Sequence, residues 1–208
     1  MRNKSVHRTA KSRARSETDR VDSPLVRSQQ LEESGVSRSR IRTLVDGGAL
    51  ERVSRGLYRV AEAELTEHYT VLAVCARVPR AIICLLTALQ IYGIGTQSPK
   101  AVWIALDRKA RKPQLGNLPV RIVRFSGPAL AIGVVSLELD GVGVRITSPA
   151  RTVVDCFRYR NKLGLDVALE ALREAIRSRH ATVDEINRIA DACRARTIIG
   201  PYLTAVLA

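Results

Sequence analysis

The chain has little of several things, and each shortage excludes a class of protein. Cysteine occurs only four times in 208 residues, as Cys75, Cys84, Cys156 and Cys193. No two of them stand at C-x-x-C spacing, so neither a disulfide framework nor a thiolate zinc site is supported, and buried reduced thiols of a cytoplasmic protein are expected. The histidines, His7, His68 and His180, are scattered, and no His or Cys has ligand spacing, so no metal is expected. Aromatic residues make up 4%, too few for a platform that stacks single-stranded bases. The longest apolar stretch, 81–95, contains Thr87 and Gln90 and falls short of the roughly 20 residues of a bilayer span, so no membrane segment is expected. A phosphate-binding loop and a G-x-S-x-G elbow are both missing, and no cofactor is expected.

Acid is the last shortage. Twenty Asp and Glu face thirty-four Lys and Arg, a net charge of +14, so the first partner to consider is an anionic polymer. The excess is uneven: residues 1–60 hold 14 basic and 7 acidic side chains, 61–160 hold 13 and 7, and 161–208 hold 7 and 6. Nucleic-acid contact is therefore expected mainly from the first half. Arg dominates the count, which favours bidentate contacts to phosphate or guanine over plain point charges.

Residues 1–21 lack apolar periodicity and read as a flexible basic arm. From 22 to 61 the pattern becomes that of a winged helix-turn-helix. Ser28 can cap a short helix over 29–34, Gly35 permits a tight turn, and Ser37 caps a second helix over 38–46 with Ile41, Leu44 and Val45 on one face. Behind Gly47-Gly48, residues 50–60 read as two short strands joined at Gly56. Helix, turn, helix and basic hairpin in that order give the layout.

Residues 62–208 read as a second, α+β domain with a small, largely antiparallel sheet and C-terminal helices. An amphipathic helix carries Val71, Val74, Cys75 and Val78, an apolar helix covers 83–92, and strands cover 101–106 and 120–125. Val135, Leu137 and Leu139, then Val142, Val144 and Ile146, alternate around Asp140-Gly141, the signature of a type I′ hairpin. Leu165, Ala168, Leu169, Leu172, Ala175 and Ile176 form an apolar stripe. Thr182 to Glu185 is a capping box, and Gly200-Pro201 opens a last short helix.

A helix that reads DNA buries one stripe and offers polar groups on the other. With Ile41, Leu44 and Val45 inward, Ser39 and Thr43 turn outward, while Ser37, Arg38, Arg40 and Arg42 lie at the start and flanks. Arg52, Arg55 and Arg59 give the hairpin a charge suited to phosphate or a minor groove. These nine residues are the predicted DNA-binding set. A metal-dependent nuclease would need clustered carboxylates, and the sheet region offers only Asp107, Glu138, Asp140 and Asp155, of which Asp107 alone is followed two positions later by Lys, with no second carboxylate nearby in sequence. No catalytic residue is predicted. In the tract 147–155, Thr-Ser-Pro-Ala-Arg-Thr-Val-Val-Asp, Ser148-Pro149 reads as a helix start and Arg151 with Asp155 as a structural i,i+4 pair.

The stretch 33–50, the wing residues Arg55-Gly-Leu-Tyr-Arg59 and the tract 146–155 together resemble the AbiEi family of antitoxins and transcriptional regulators of type IV toxin-antitoxin systems. The resemblance covers about 25–203, and the Ser-Pro-x-Arg-Thr-x-x-Asp tract is its more specific part. It implies a non-enzymatic protein whose winged helix binds double-stranded operator DNA and represses its own operon. It further implies a larger C-terminal domain needed to neutralise a nucleotidyltransferase-like toxin without a stable complex. The family also includes stand-alone regulators with no toxin, which keeps that alternative open, and a nuclease is the third reading. The chain departs from the family in its long basic leader.

Overall fold

The computed structural model describes residues 25–61 and 66–207. The expected basic arm over 1–21 lies outside the described residues. By their packing, the described residues divide into one unit that runs to Pro79 and includes 138–143, and another made of 80–137 with 144–207.

The first unit holds β1 (Leu25–Arg27), α1 (Ser28–Glu33), α2 (Arg38–Asp46), β2 (Leu50–Ser54), β3 (Leu57–Val60) and α3 (Tyr69–Arg77). The three strands form an antiparallel sheet in the order β1-β3-β2. Strand β1 had no signal in the sequence, because three residues are too few to show an alternation. It exists because β3 offers it a free edge, pairing Leu25 with Arg59 and Arg27 with Leu57. Ser28 does not cap α1 as expected: it is the first helical residue, and Gln30 Oε1 accepts the Arg27 backbone N–H at 2.8 Å in its place. Ser37 does cap α2, its Oγ accepting the Arg40 N–H at 3.3 Å. The core is small: Val26, Leu31, Val36, Ile41, Leu44 and Leu50 are buried, with Val45, Ala49, Tyr58 and Val60 packed against them. Helix α3 packs on β2 and buries Val71, Leu72, Ala73 and Val74. The helix that the sequence placed at the start of the second domain thus packs with the winged helix.

A five-stranded sheet, in the second unit apart from residues 138–143 at the ends of its last two strands, consists of β4 (Ile82–Ile83), β5 (Val102–Asp107), β6 (Val120–Phe125), β7 (Val134–Leu139) and β8 (Val142–Thr147), in the order β6-β5-β4-β8-β7. Its helices are α4 (Leu85–Tyr92), α5 (Pro149–Arg158), α6 (Arg160–Leu163), α7 (Leu165–Arg177), α8 (Val183–Ala192) and α9 (Arg196–Leu207). The α+β class with C-terminal helices holds. Within the sheet, β4 runs antiparallel to β5, while the β5–β6 and β4–β8 pairs are parallel. A strand's own residues carry no sign of its partner's direction.

Other local differences have equally local causes. Ile83 belongs to β4 and not to the following helix, since it pairs with Ile104 and Ile146. The chain then turns into α4 through Leu85 at φ +51°. The hairpin turn has both Asp140 (φ +48°) and Gly141 (φ +74°) in the left-handed region, as a type I′ turn requires. Val135 nevertheless remains 42% exposed. Helix α7 buries Val167, Ala168, Ala171, Leu172 and Ala175, so the true stripe is rotated from the expected one and Leu165 is left outside. Pro201 lies inside α9 and does not start it, because burial of Ile199 and Leu203 carries the helix through the missing N–H.

Candidate nucleic-acid interface

Helix α2 owes its orientation to two side chains. Ile41 and Leu44 are 4% and 3% exposed, which turns Ser39, Arg42 and Thr43 to the opposite side, where all three are exposed. The Thr43 hydroxyl donates to the Ser39 carbonyl at 3.1 Å, so its oxygen keeps its capacity to accept a hydrogen bond. Ser37 Oγ lies 3.0 Å from Ser39 Oγ. Arg40, on the flank, is half-buried.

The wing begins at a β-bulge between Arg52 and Ser54 and turns at Gly56, whose φ of +72° favours glycine. The Gly56 carbonyl accepts the Ser28 N–H at 2.9 Å, fixing the wing tip to the start of α1. An open concavity of about 520 Å³ lies there, lined by Ser28 and Glu32 of α1, Arg38 and Ile41 of α2, and Arg52, Arg55 and Tyr58 of the wing. Three of the nine predicted residues, Arg38, Arg52 and Arg55, therefore meet at one place.

Two of the nine, Arg38 among them, are tied up differently than local spacing implied. Arg38 donates to both Glu32 oxygens, from Nε at 2.8 Å and from a terminal nitrogen at 3.4 Å. Arg59 is half-buried and donates twice to Glu51 Oε2, at 3.0 and 2.6 Å, across the β2–β3 register that sets Glu51 opposite Arg59. Sequence reasoning missed Glu32, Glu51 and Tyr58 as members of this surface. For Glu51 the signal was present, since a two-strand reading with a turn at Gly56 fixes the opposing pair. Glu32 lies across the Gly35 turn from Arg38, where no helical spacing relates them.

The second predicted tract is built into the interior. Ser148 caps α5, accepting the Arg151 N–H at 3.3 Å, and Pro149 follows in the first turn. Every residue from Ala150 to Phe157 is buried, because α5 packs against α4, α7, α8 and α9. Arg151 and Asp155 are 0% and 1% exposed and joined at 2.9 Å. The Arg151 guanidinium also donates to the Ile132 carbonyl and, at 3.2 Å, to the Ala129 carbonyl, and lies 4.7 Å from the Phe125 ring centre. It thereby clasps the 3-10 turn Gly127–Leu130 to the helix. Thr152 Oγ1 donates to the Ser148 carbonyl at 2.8 Å and sits 2.7 Å from Thr147 Oγ1. Burial pushes the Asp155 carboxyl up to about 6 despite the Arg151 guanidinium beside it. Asp155 Oδ1 accepts no hydrogen bond from the described residues.

The remaining nuclease candidates do not converge. Asp107 Oδ1 accepts the Lys109 N–H at 2.9 Å, and among the described residues no three His, Cys, Asp or Glu side chains form a metal-holding group. The cysteines carry free thiols, three buried and Cys75 half-buried. Burial raises the Cys75 thiol to about 12 and the Cys84 thiol well above the usual range. No helix among the described residues is long and apolar enough to cross a membrane.

A winged helix-turn-helix followed by an α+β unit defines the class. A family model described as transcriptional regulator, AbiEi antitoxin matches residues 20–61, and one described as AbiEi antitoxin C-terminal domain matches 81–200, more than half of the chain. The chain belongs to the AbiEi antitoxin family. Among solved structures, the crystal structure of RV2827C protein from Mycobacterium tuberculosis shares the fold, with a TM-score of 0.58 at 19% identity over 94% of this chain and 80% of that one. No curated protein matches.

Proposed function

We propose that the chain is the antitoxin and autorepressor of a type IV toxin-antitoxin system, acting in the cytoplasm without catalysis. Residues 22–61 read double-stranded operator DNA, and 62–208 neutralise a nucleotidyltransferase-like toxin without a stable complex. The observation that carries the DNA reading is the outward face of α2: Ser39, Arg42 and Thr43 stand exposed opposite buried Ile41 and Leu44. Arg42 has the reach for a guanine edge, and the two hydroxyls suit base or phosphate contacts. Arg52 and Arg55, exposed on the wing, suit the phosphate backbone. Ser37, Arg38, Arg40 and Arg59 support this surface from its edges, the last held by Glu51 as a positioned cation.

The test is a mobility-shift series on the chain's own upstream DNA and on an unrelated duplex at several salt concentrations. Arg42→Ala should cost roughly 1–3 kcal/mol on the operator alone. Arg52→Ala with Arg55→Ala should weaken both duplexes and reduce the salt slope by nearly one unit per lost phosphate contact. If all three substitutions leave both affinities unchanged, the assignment fails. Co-expression with a nucleotidyltransferase encoded beside it checks the second half, and absence of such a gene would return the protein to the stand-alone regulators.

A further inference from the structure

Between Asp107 and Glu138 the chain contains six cations and no carboxylate. Four of them, Arg108, Lys109, Arg111 and Lys112, fall within five positions, and all four are exposed. They lie on the connection between β5 and β6, which must run the full strand length because those strands are parallel.

The start of this connection is held by its backbone. The Arg108 N–H donates to the Phe125 carbonyl at 2.8 Å and the Ala110 N–H to the Asp107 carbonyl at 2.9 Å. Arg124 reaches over from β6 and donates to the Asp107 and Ala110 carbonyls, each at 2.9 Å. Its partners are neutral, so it fixes the turn without cancelling the charge. Among the described residues none of the four loop cations has a carboxylate within ion-pair distance.

A basic edge strand has a structural use, since charge there blocks pairing with another chain. Arg121 and Arg124 already serve β6 in that way, and Arg121 lies over the Trp103 ring at 6.0 Å. The four loop cations lie beyond the strand end and guard no edge. A protein partner would need a buried apolar anchor among them, and the only apolar side chain from 108 to 112 is Ala110. Dense cations on an ordered turn without an anchor match a regularly charged polymer.

We propose that residues 108–112 form a second phosphodiester-binding surface, one that takes the backbone of duplex DNA independently of base sequence. The proposal extends the DNA reading of the winged helix. The test uses the full chain with Arg108, Lys109, Arg111 and Lys112 all changed to Ala, and measures affinity against salt for operator duplex and for an unrelated duplex of equal length. The salt slope should fall by roughly three to four units on both, at about 0.9 per phosphate contact, with the preference for operator unchanged. Arg108→Lys with Arg111→Lys should keep the slope, because phosphate accepts a point charge. Changing 108 and 109, or 111 and 112, should each remove about half of the effect, so the result does not hang on one heavily altered chain. An unchanged slope in a variant that melts like the parent overturns the proposal. An unchanged slope with lost protection from toxin overturns it too, and gives the loop to a protein. If the slope falls here while Arg42→Ala leaves operator preference intact, this surface stands and the winged-helix reading fails.

Discussion

Asp155 is the only carboxylate among the described residues that is wholly buried, and its surroundings give two predictions. Removing it in Asp155→Ala strands the Arg151 guanidinium in the core, a change that costs on the order of 3–5 kcal/mol. The melting temperature should fall while the DNA affinity of the folded fraction is kept; a fully stable variant that no longer protects cells would move this residue from scaffold to functional site. The second prediction concerns pH. The folded carboxyl is raised to about 6, above its unfolded value near 3.9. The folded state therefore holds a proton that the unfolded state releases, and the group's stabilisation, complete below the unfolded value, is lost as pH rises towards 6. The loss amounts to roughly 2–3 kcal/mol at about 1.4 kcal/mol per unit. Asp155→Asn removes this titration. The stability difference between parent and variant, followed by urea unfolding from pH 4 to 7, should shift against the parent as pH rises, and a flat difference would contradict the assignment.

Turns and helices meet at specific backbone points. Gly133 closes the turn that Arg151 clasps, at φ +61°, and a Cβ there would stand 2.7 Å from Arg151 Cβ. Strain and collision act together, so Gly133→Ala should destabilise the second unit by a few kcal/mol, on the order of a buried overpacking substitution. Gly143 has an ordinary φ and open space around its position. Gly143→Ala should change thermal stability by well under 1 kcal/mol, as surface substitutions do, and equal losses in the two variants would remove the clasp from the explanation. In the winged helix, the Glu51 and Glu32 pairs hold Arg59 and Arg38 in place. These elements present some arginines free and others fixed, a distinction the helical wheel alone does not draw.

At the scale of the whole chain, the family match and the packing set different limits for the amino-terminal module. The match ends at 61, whereas α3, up to Arg77, covers β2 with four buried side chains. A fragment of residues 22–79 should therefore unfold cooperatively with the core of a small domain, while 22–61 should expose the face of the wing that α3 covers and lose its sharp transition. Circular dichroism melts of the two fragments compare them directly, and indistinguishable curves would show that α3 adds nothing to this unit.

Much was legible before any coordinates. The order of helix, turn, helix and wing, the Ser37, Ser148 and Thr182 caps, the Asp140-Gly141 turn and the β6 span all follow from signals that lie within a few residues of one another. So does the choice of outward residues on α2, because Ile41 and Leu44 fix its face through a 3.6-residue period. What the sequence could not decide is whatever depends on a partner distant along the chain. The three-residue β1 exists through β3, and the direction of β6 depends on β5. The allegiance of α3 depends on β2, and the internal clasp of Arg151 depends on carbonyls at 129 and 132. An arginine's sequence neighbours state its charge and reach; only the tertiary structure determines whether that charge meets a carbonyl, a carboxylate or solvent, since burial and pairing are properties of the packed chain and not of any segment within it.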